Sequence, residues 1–453
     1  QAISTAGIGA LTTAQAVNLT TAQIVALTTS QISAVSAADI TALTTAQVVA
    51  IEAVDVAALK SSQIAALTTD GIVNLTTAQI QAISTAGIGA LTTAQAVNLT
   101  TAQVVALTTS QISAVSTTDI AALTTAQIQV LTTDQTRALE TQDVAALTTN
   151  QVGALTPEQV VALSTAQVTA FTTAAIRMLS DTHVAAFTTD QAGSLTTAQV
   201  RALSSTQLNG MSQESVTALT STQLQALSSA QAQSLTTVML NNLTTDQVPV
   251  LNSTSVAAIN TTALSALGGD QLNALSSTQV QALSSTQVQA LTTAQLANAS
   301  STQLESLSSA QVRVLTSAQL NGLGVDNLQA LGTADLQALT TGQVSALSTD
   351  QVNNLSTGAA GQLAALTTVQ AQSLTSSQLN GLTPESLGSL TTGAVRALTT
   401  AQVEKLAVAQ LDLLSSDQVQ ALSTGQVRAL TTAQVGGMAA AQVTNLSSAQ
   451  VQA

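Results

Sequence analysis

The single histidine, His183, with Asp181 two residues before it, comes nearest in this chain to an acid–base pair or a metal ligand set. A metal site of that kind needs further His or Cys ligands at matching spacing, and the sequence has no second His and no Cys. A Ser or Thr nucleophile needs an adjacent base, so one imidazole among many hydroxyls makes no triad. His183 stands where neighbouring units carry Gln, and it reads as a ring replacing one capping amide. The acidic residues are spread thinly, without the loop patterns that hold calcium. No Gly-rich phosphate loop occurs, and the two lysines, Lys60 and Lys405, lie far apart. Catalytic, cofactor-binding and metal-binding residues are therefore read as none. The chain is expected not to be an enzyme, with no cofactor and no small-molecule substrate.

The element that must position any side chain is an octad, typified by Leu-Thr-Thr-Ala-Gln-Val-Val-Ala. From Ile3 to Ala453 the chain divides into 55 regular octads and one eleven-residue unit, 355–365. A fixed short period implies a stack in which each unit buries its apolar face against its neighbours. The domain reading is one continuous repeat array over 1–453. Because the sequence starts at octad positions 7 and 8, it is expected to be a window from a longer chain. The unit 355–365 reads as a local irregularity, with Gly358 and Gly361 permitting a bulge.

Numbered from its Leu, position 1 of the octad is always apolar, Ala299 being the weakest case. Position 2 is Ser or Thr in 46 of the 56 units, and position 5 is Gln in 38 of the 55 regular ones. Hydroxyl and amide at this spacing form the capping box, in which the hydroxyl accepts from the N3 amide and the Gln reaches back to the N-cap amide. Apolar positions 1 and 6 then fall at N′ and N4, the hydrophobic staple. Pro157 and Pro384 stand at N1, where proline lacks only an unpaired amide. Pro249, at position 7, falls where so short a helix ends. Of the 22 acids, 17 lie at positions 3 to 5, and all six arginines lie at position 7. That is the partition a helix dipole favours, and it places position 7 in solvent.

The resulting fold class is all-α: a solenoid of very short helices, one per octad, with two octads per coil. A β-solenoid is the alternative, since Thr and Val favour strands, but positions 1 and 6 have opposite parity. Residues 1–50 and 81–130 match at 43 of 50 positions, and a ten-octad duplication suits two octads per coil. Phe171 and Phe187, 16 residues apart, are expected to stack on successive coils. With Met178 they are expected to fill one larger stretch of core.

Composition narrows the function. Hydrophobic residues make up 45%, with two Phe and no Trp or Tyr, so the core is thin and aliphatic. A net charge of −14 from 22 acids and 8 bases disfavours nucleic acid and anionic membranes. Polar residues interrupt every octad, so no apolar run reaches the roughly 18–20 residues of a membrane span.

Two resemblances bear on this. Leu155-Thr-Pro-Glu-Gln-Val-Val-Ala-Leu163 resembles the opening of the repeats in transcription-activator-like effectors. It covers nine residues, lacks the basic character and base-reading loop, and carries no DNA binding over. Across its whole length the chain resembles the Leu-Thr/Ser-Thr-Ala-Gln-Val-x-Ala arrays of long secreted bacterial surface proteins. That resemblance implies an extracellular fibre, adhesin stalk or surface-layer component, outside the cell or on its surface. The repeated apolar positions themselves suggest a rod or filament that associates with itself through repeat stacking. The alternatives are an α-solenoid scaffold for a protein partner and an ice-binding face built on the Thr at position 3.

Overall fold

The computed structural model describes residues 3–453. Almost every octad folds in the same way. At Thr100 the backbone is extended (φ −67°, ψ 155°), Thr101–Ala106 form an α-helix, and Leu107 returns to extended geometry (φ −61°, ψ 136°). Six helical residues and two extended ones complete the period. The N–H of Leu107 closes the last turn on the carbonyl of Val104 at 3.2 Å. No left-handed residue is needed at these corners: among the described residues Gly358 (φ 91°) has a positive φ. This is how a chain with few glycines turns at every octad.

Helices of this length are marginal alone, so packing must hold them. Position 1 (Leu107) and position 6 (Val104) are buried throughout most of the chain, as the staple pattern requires. The six arginines at position 7 are exposed. No strand forms among the described residues, which removes the β-solenoid alternative.

The number of octads per coil differs from the sequence reading. Helix Thr77–Ala82 packs on Thr101–Ala106, and Thr141–Ala146 on Thr165–Ala170. Each helix meets the third one along, so a coil holds three octads and not two. The two extended residues between helices redirect the chain by a third of a turn, and this fixed corner geometry sets the count. Phe171 and Phe187 are both buried, but they lie on different sides of the coil and do not stack on successive turns. Met178, at position 8, is 46% exposed and is not part of that core. The two copies of the duplicated block, ten octads apart, occupy different sides of their coils, because ten is not a multiple of three. Every side offers an octad the same environment, so duplication carries no penalty.

The described chain forms two compact units, Gln1–Leu227 and Ser228–Ala453. The three-octad coil builds each of them. In the second unit Ser309–Arg313 packs on Thr333–Ala338, and Thr368–Ser373 on Thr392–Ala397.

Two irregularities are absorbed locally. Pro249 cannot sustain the α-helix of its octad, which becomes a short 3₁₀ turn, Val248–Val250. In 355–365 the helix is lost and three residues bulge outward, yet the capping pair survives over a wider span. Ser356 N–H donates to Gln362 Oε1 at 3.0 Å, and Gln362 N–H to Ser356 Oγ at 2.9 Å. Gly361 is required there, since a Cβ would collide with the Ser356 and Thr357 carbonyl oxygens.

Candidate functional site: the glutamine bridge between coils

The recurrent polar feature of both units is the Gln at position 5. Its first role is the local one. In the octad beginning at Leu99, Thr100 N–H donates to Gln103 Oε1 at 2.8 Å, and Gln103 N–H donates to Thr100 Oγ1 at 3.2 Å. The capping box is therefore complete, and Thr or Ser at position 2 is the N-cap in most octads.

The second role is a contact between coils. The side-chain amide of Gln103 donates to the carbonyls of Ile72 (2.8 Å) and Leu75 (2.9 Å), 31 and 28 residues back. Ile72 lies in the last turn of the preceding coil's helix, Thr69–Asn74, and Leu75 lies in the corner that follows it. A helix end leaves its last carbonyls short of partners; the next coil's Gln supplies one to Leu75 and adds a second bond to Ile72, whose carbonyl already accepts from Leu75 N–H at 3.1 Å. The pattern recurs at Gln135 with Val104 and Leu107. In the second unit it recurs at Gln319 with Val288 and Leu291. These amides are buried, so both halves matter: a buried polar group without partners costs about 1–3 kcal/mol.

The capping box was legible in the sequence, but the intercoil half was not. One signal pointed to it. A capping box accepts Glu or Gln at N3, yet no octad has Glu at position 5. Of these two side chains, only the amide can accept on one side and donate on the other.

Polar replacements at position 5 show how far the same chemistry extends. His183 takes both roles: Ser180 N–H donates to Nδ1 at 2.9 Å, and Nε2 lies 2.7 Å from the Leu155 carbonyl. This pairing corresponds to the neutral ring protonated at Nε2. His183 is thus held as a capping group, and Asp181 is exposed. Asp119 and Asp143, as carboxylates, have no donor for the carbonyls and instead accept from Thr93 and Thr117 hydroxyls of the preceding coil, each at 2.8 Å. Asp55 differs. Burial, and then the charge of its N-cap Glu52, raise the Asp55 pKa.

Position 7 adds a second row of contacts. Thr41 Oγ1 donates to the Ala66 carbonyl at 2.9 Å, and Arg201 Nε to that of Ala226 at 2.9 Å, each 25 residues on. The exposed face is thus also tied to the following coil. Where Ala299 replaces Leu at position 1, an apolar cavity of about 30 Å³ opens, lined by Leu272, Leu283, Leu296 and Leu304 among others. Among the described residues no group of three or more His, Cys, Asp or Glu is placed to hold a metal ion. No helix among them is long and apolar enough to cross a membrane.

The family model for the ALTTAQ repeat matches at 1–29, 48–85, 72–109, 109–141, 136–173, 165–197, 248–285, 265–300, 300–333, 323–357 and 389–424, more than half of the chain. No curated protein matches it.

Proposed function

From the premise that this chain belongs to the ALTTAQ repeat family, we propose that it is the structural element of an extracellular bacterial rod or filament, or an adhesin stalk. It works without catalysis, metal or cofactor, and its partner is another copy of itself. The observation that carries this reading is the Gln bridge. Each coil offers amide donors on one side and helix-end carbonyls on the other, as between Gln135 and Leu107. A unit complementary to itself in this head-to-tail sense extends without limit, and such contacts generate filaments when they do not close. The sparse charge, with 22 acids and 8 bases, leaves little repulsion between stacked copies.

Electron microscopy and sedimentation of the purified segment, in chelator at neutral pH across a wide concentration range, test the reading. Filaments that grow with concentration are the expected result. A segment that stays monomeric throughout overturns it and favours a scaffold that binds a different protein.

A further inference from the structure

The Gln bridge leaves one set of octads unexplained. In four octads of the second unit the position-2 N–H turns away from its own octad and bonds to the preceding coil. Gly268 N–H donates to Asn241 Oδ1 (3.1 Å) and Ala407 N–H to Asn380 Oδ1 (2.7 Å). Ala439 N–H donates to Asp412 Oδ1 (2.8 Å) and Thr383 N–H to Asn353 Oδ1 (3.0 Å). Each acceptor stands at position 7. Three of these octads have lost the hydroxyl at position 2, being Gly268, Ala407 and Ala439. The fourth has Ser386 where Gln is usual, and Ser386 directs its hydroxyl to the Asn353 carbonyl instead.

The asparagines do more than accept. Their Nδ2 groups donate to the carbonyl just before the same corner: Asn241 to Ala266 (3.3 Å), Asn353 to Gly381 (2.7 Å) and Asn380 to Lys405 (2.8 Å). One side chain therefore grips both sides of a corner in the next coil. The displaced local acceptors are visible too, since Gln410 Oε1 and Gln442 Oε1 are buried without a hydrogen-bond partner.

We propose that Asn241, Asn353, Asn380 and Asp412 are intercoil corner acceptors, supplied by one coil to a position-2 N–H of the next in place of that octad's own position-5 side chain. Apolar and Gln contacts repeat in nearly every octad, so a slip by one octad would restore most of them. A position-7 acceptor matched to one outward-turned position-2 N–H is not restored by such a slip. These pairs accordingly mark the three-octad register.

Amide hydrogen exchange on the full segment tests the assignment. The corner at Thr383 is the cleanest site, because Ser386 cannot replace a lost acceptor. Asn353→Ala is expected to speed exchange at Thr383 by about tenfold or more, the scale of one lost hydrogen bond. Asn353→Asp keeps the acceptor and should leave Thr383 protected. Asn74→Ala removes an asparagine whose amide bonds to its own helix, at Asp70, and should leave Thr383 unaffected. Unchanged exchange at Thr383 in Asn353→Ala overturns the proposal, as does equal acceleration in Asn353→Asp.

Discussion

Gln127 and Leu99 stand 28 residues apart and are joined by a 2.8 Å hydrogen bond from the side-chain amide to the backbone carbonyl. The same Gln127 accepts the N–H of Thr124 at 2.7 Å. One side chain thus satisfies a donor at the start of its own helix and an acceptor beside the end of a helix in the preceding coil. Helices of four to six residues have nearly as many unpaired backbone groups as paired ones, so a chain built from them needs such a link at nearly every octad.

Replacing the amide by a carboxylate separates the two roles. Gln103→Glu keeps the acceptor for Thr100 but faces the Ile72 and Leu75 carbonyls with negative charge. It is expected to lower local stability by about 3 kcal/mol, the upper range for an unsatisfied buried polar group. Gln129→Glu, at exposed position 7, should stay within roughly 0.5 kcal/mol. Hydrogen exchange in the two helices would measure both, and equal effects would show that the bridge is dispensable.

The apolar positions give a second contrast. Leu107 is 6% exposed, and Leu107→Ala should cost about 2–5 kcal/mol. Leu107→Asp should be worse, since it buries an unpaired charge, whereas Gln129→Asp should be nearly neutral. Denaturant unfolding of the three variants decides this, and similar midpoints would refute the facing of positions 1 and 7.

Filling the cavity at Ala299 should stabilise the second unit. The space of about 30 Å³ and the added buried methyl groups together predict a gain on the order of 1 kcal/mol for Ala299→Leu. The position accepts Leu in most other octads, so its backbone is suited to the larger side chain. A lower melting temperature for the variant would show that the neighbouring leucines cannot make room.

Asp55 predicts a pH dependence. Its pKa lies above the ordinary value of 3.8, first because burial disfavours the charge and second because Glu52 repels it. The folded chain therefore holds a proton that the unfolded chain has lost, between 3.8 and the raised value. Stability from this group rises as pH falls through the raised pKa and levels off below the ordinary one. Asp55→Asn should accordingly protect helix Ala53–Val56 more strongly than the parent at pH 7, with the gap closing on acidification. A gap that is constant, or widens in acid, would contradict the assignment.

At His183 the ring already performs both Gln roles, so His183→Gln should preserve the fold and the contact with Leu155. Loss of helix Asp181–Ala185 in that variant, read from exchange or chemical shifts, would mean that the imidazole does something an amide cannot.

The sequence by itself determined the local structure. Thr100 and Gln103 are three residues apart, and the capping box acts over that distance, so the start of each helix was legible without knowing its neighbours. Opposite parity of positions 1 and 6 favoured helices over strands, and the arginines marked the exposed face. Only the tertiary structure decided that three octads close a coil, that Gln103 reaches Ile72 and Leu75, and that Asn353 accepts from Thr383. Those relationships depend on the angle through which each corner turns the chain, a small difference in backbone geometry that accumulates over 24 residues. Near-identical octads offer the same partners at every multiple of eight, so composition and spacing could not choose between 16 and 24. Packing chose, by bringing amide donors against helix-end carbonyls three corners earlier.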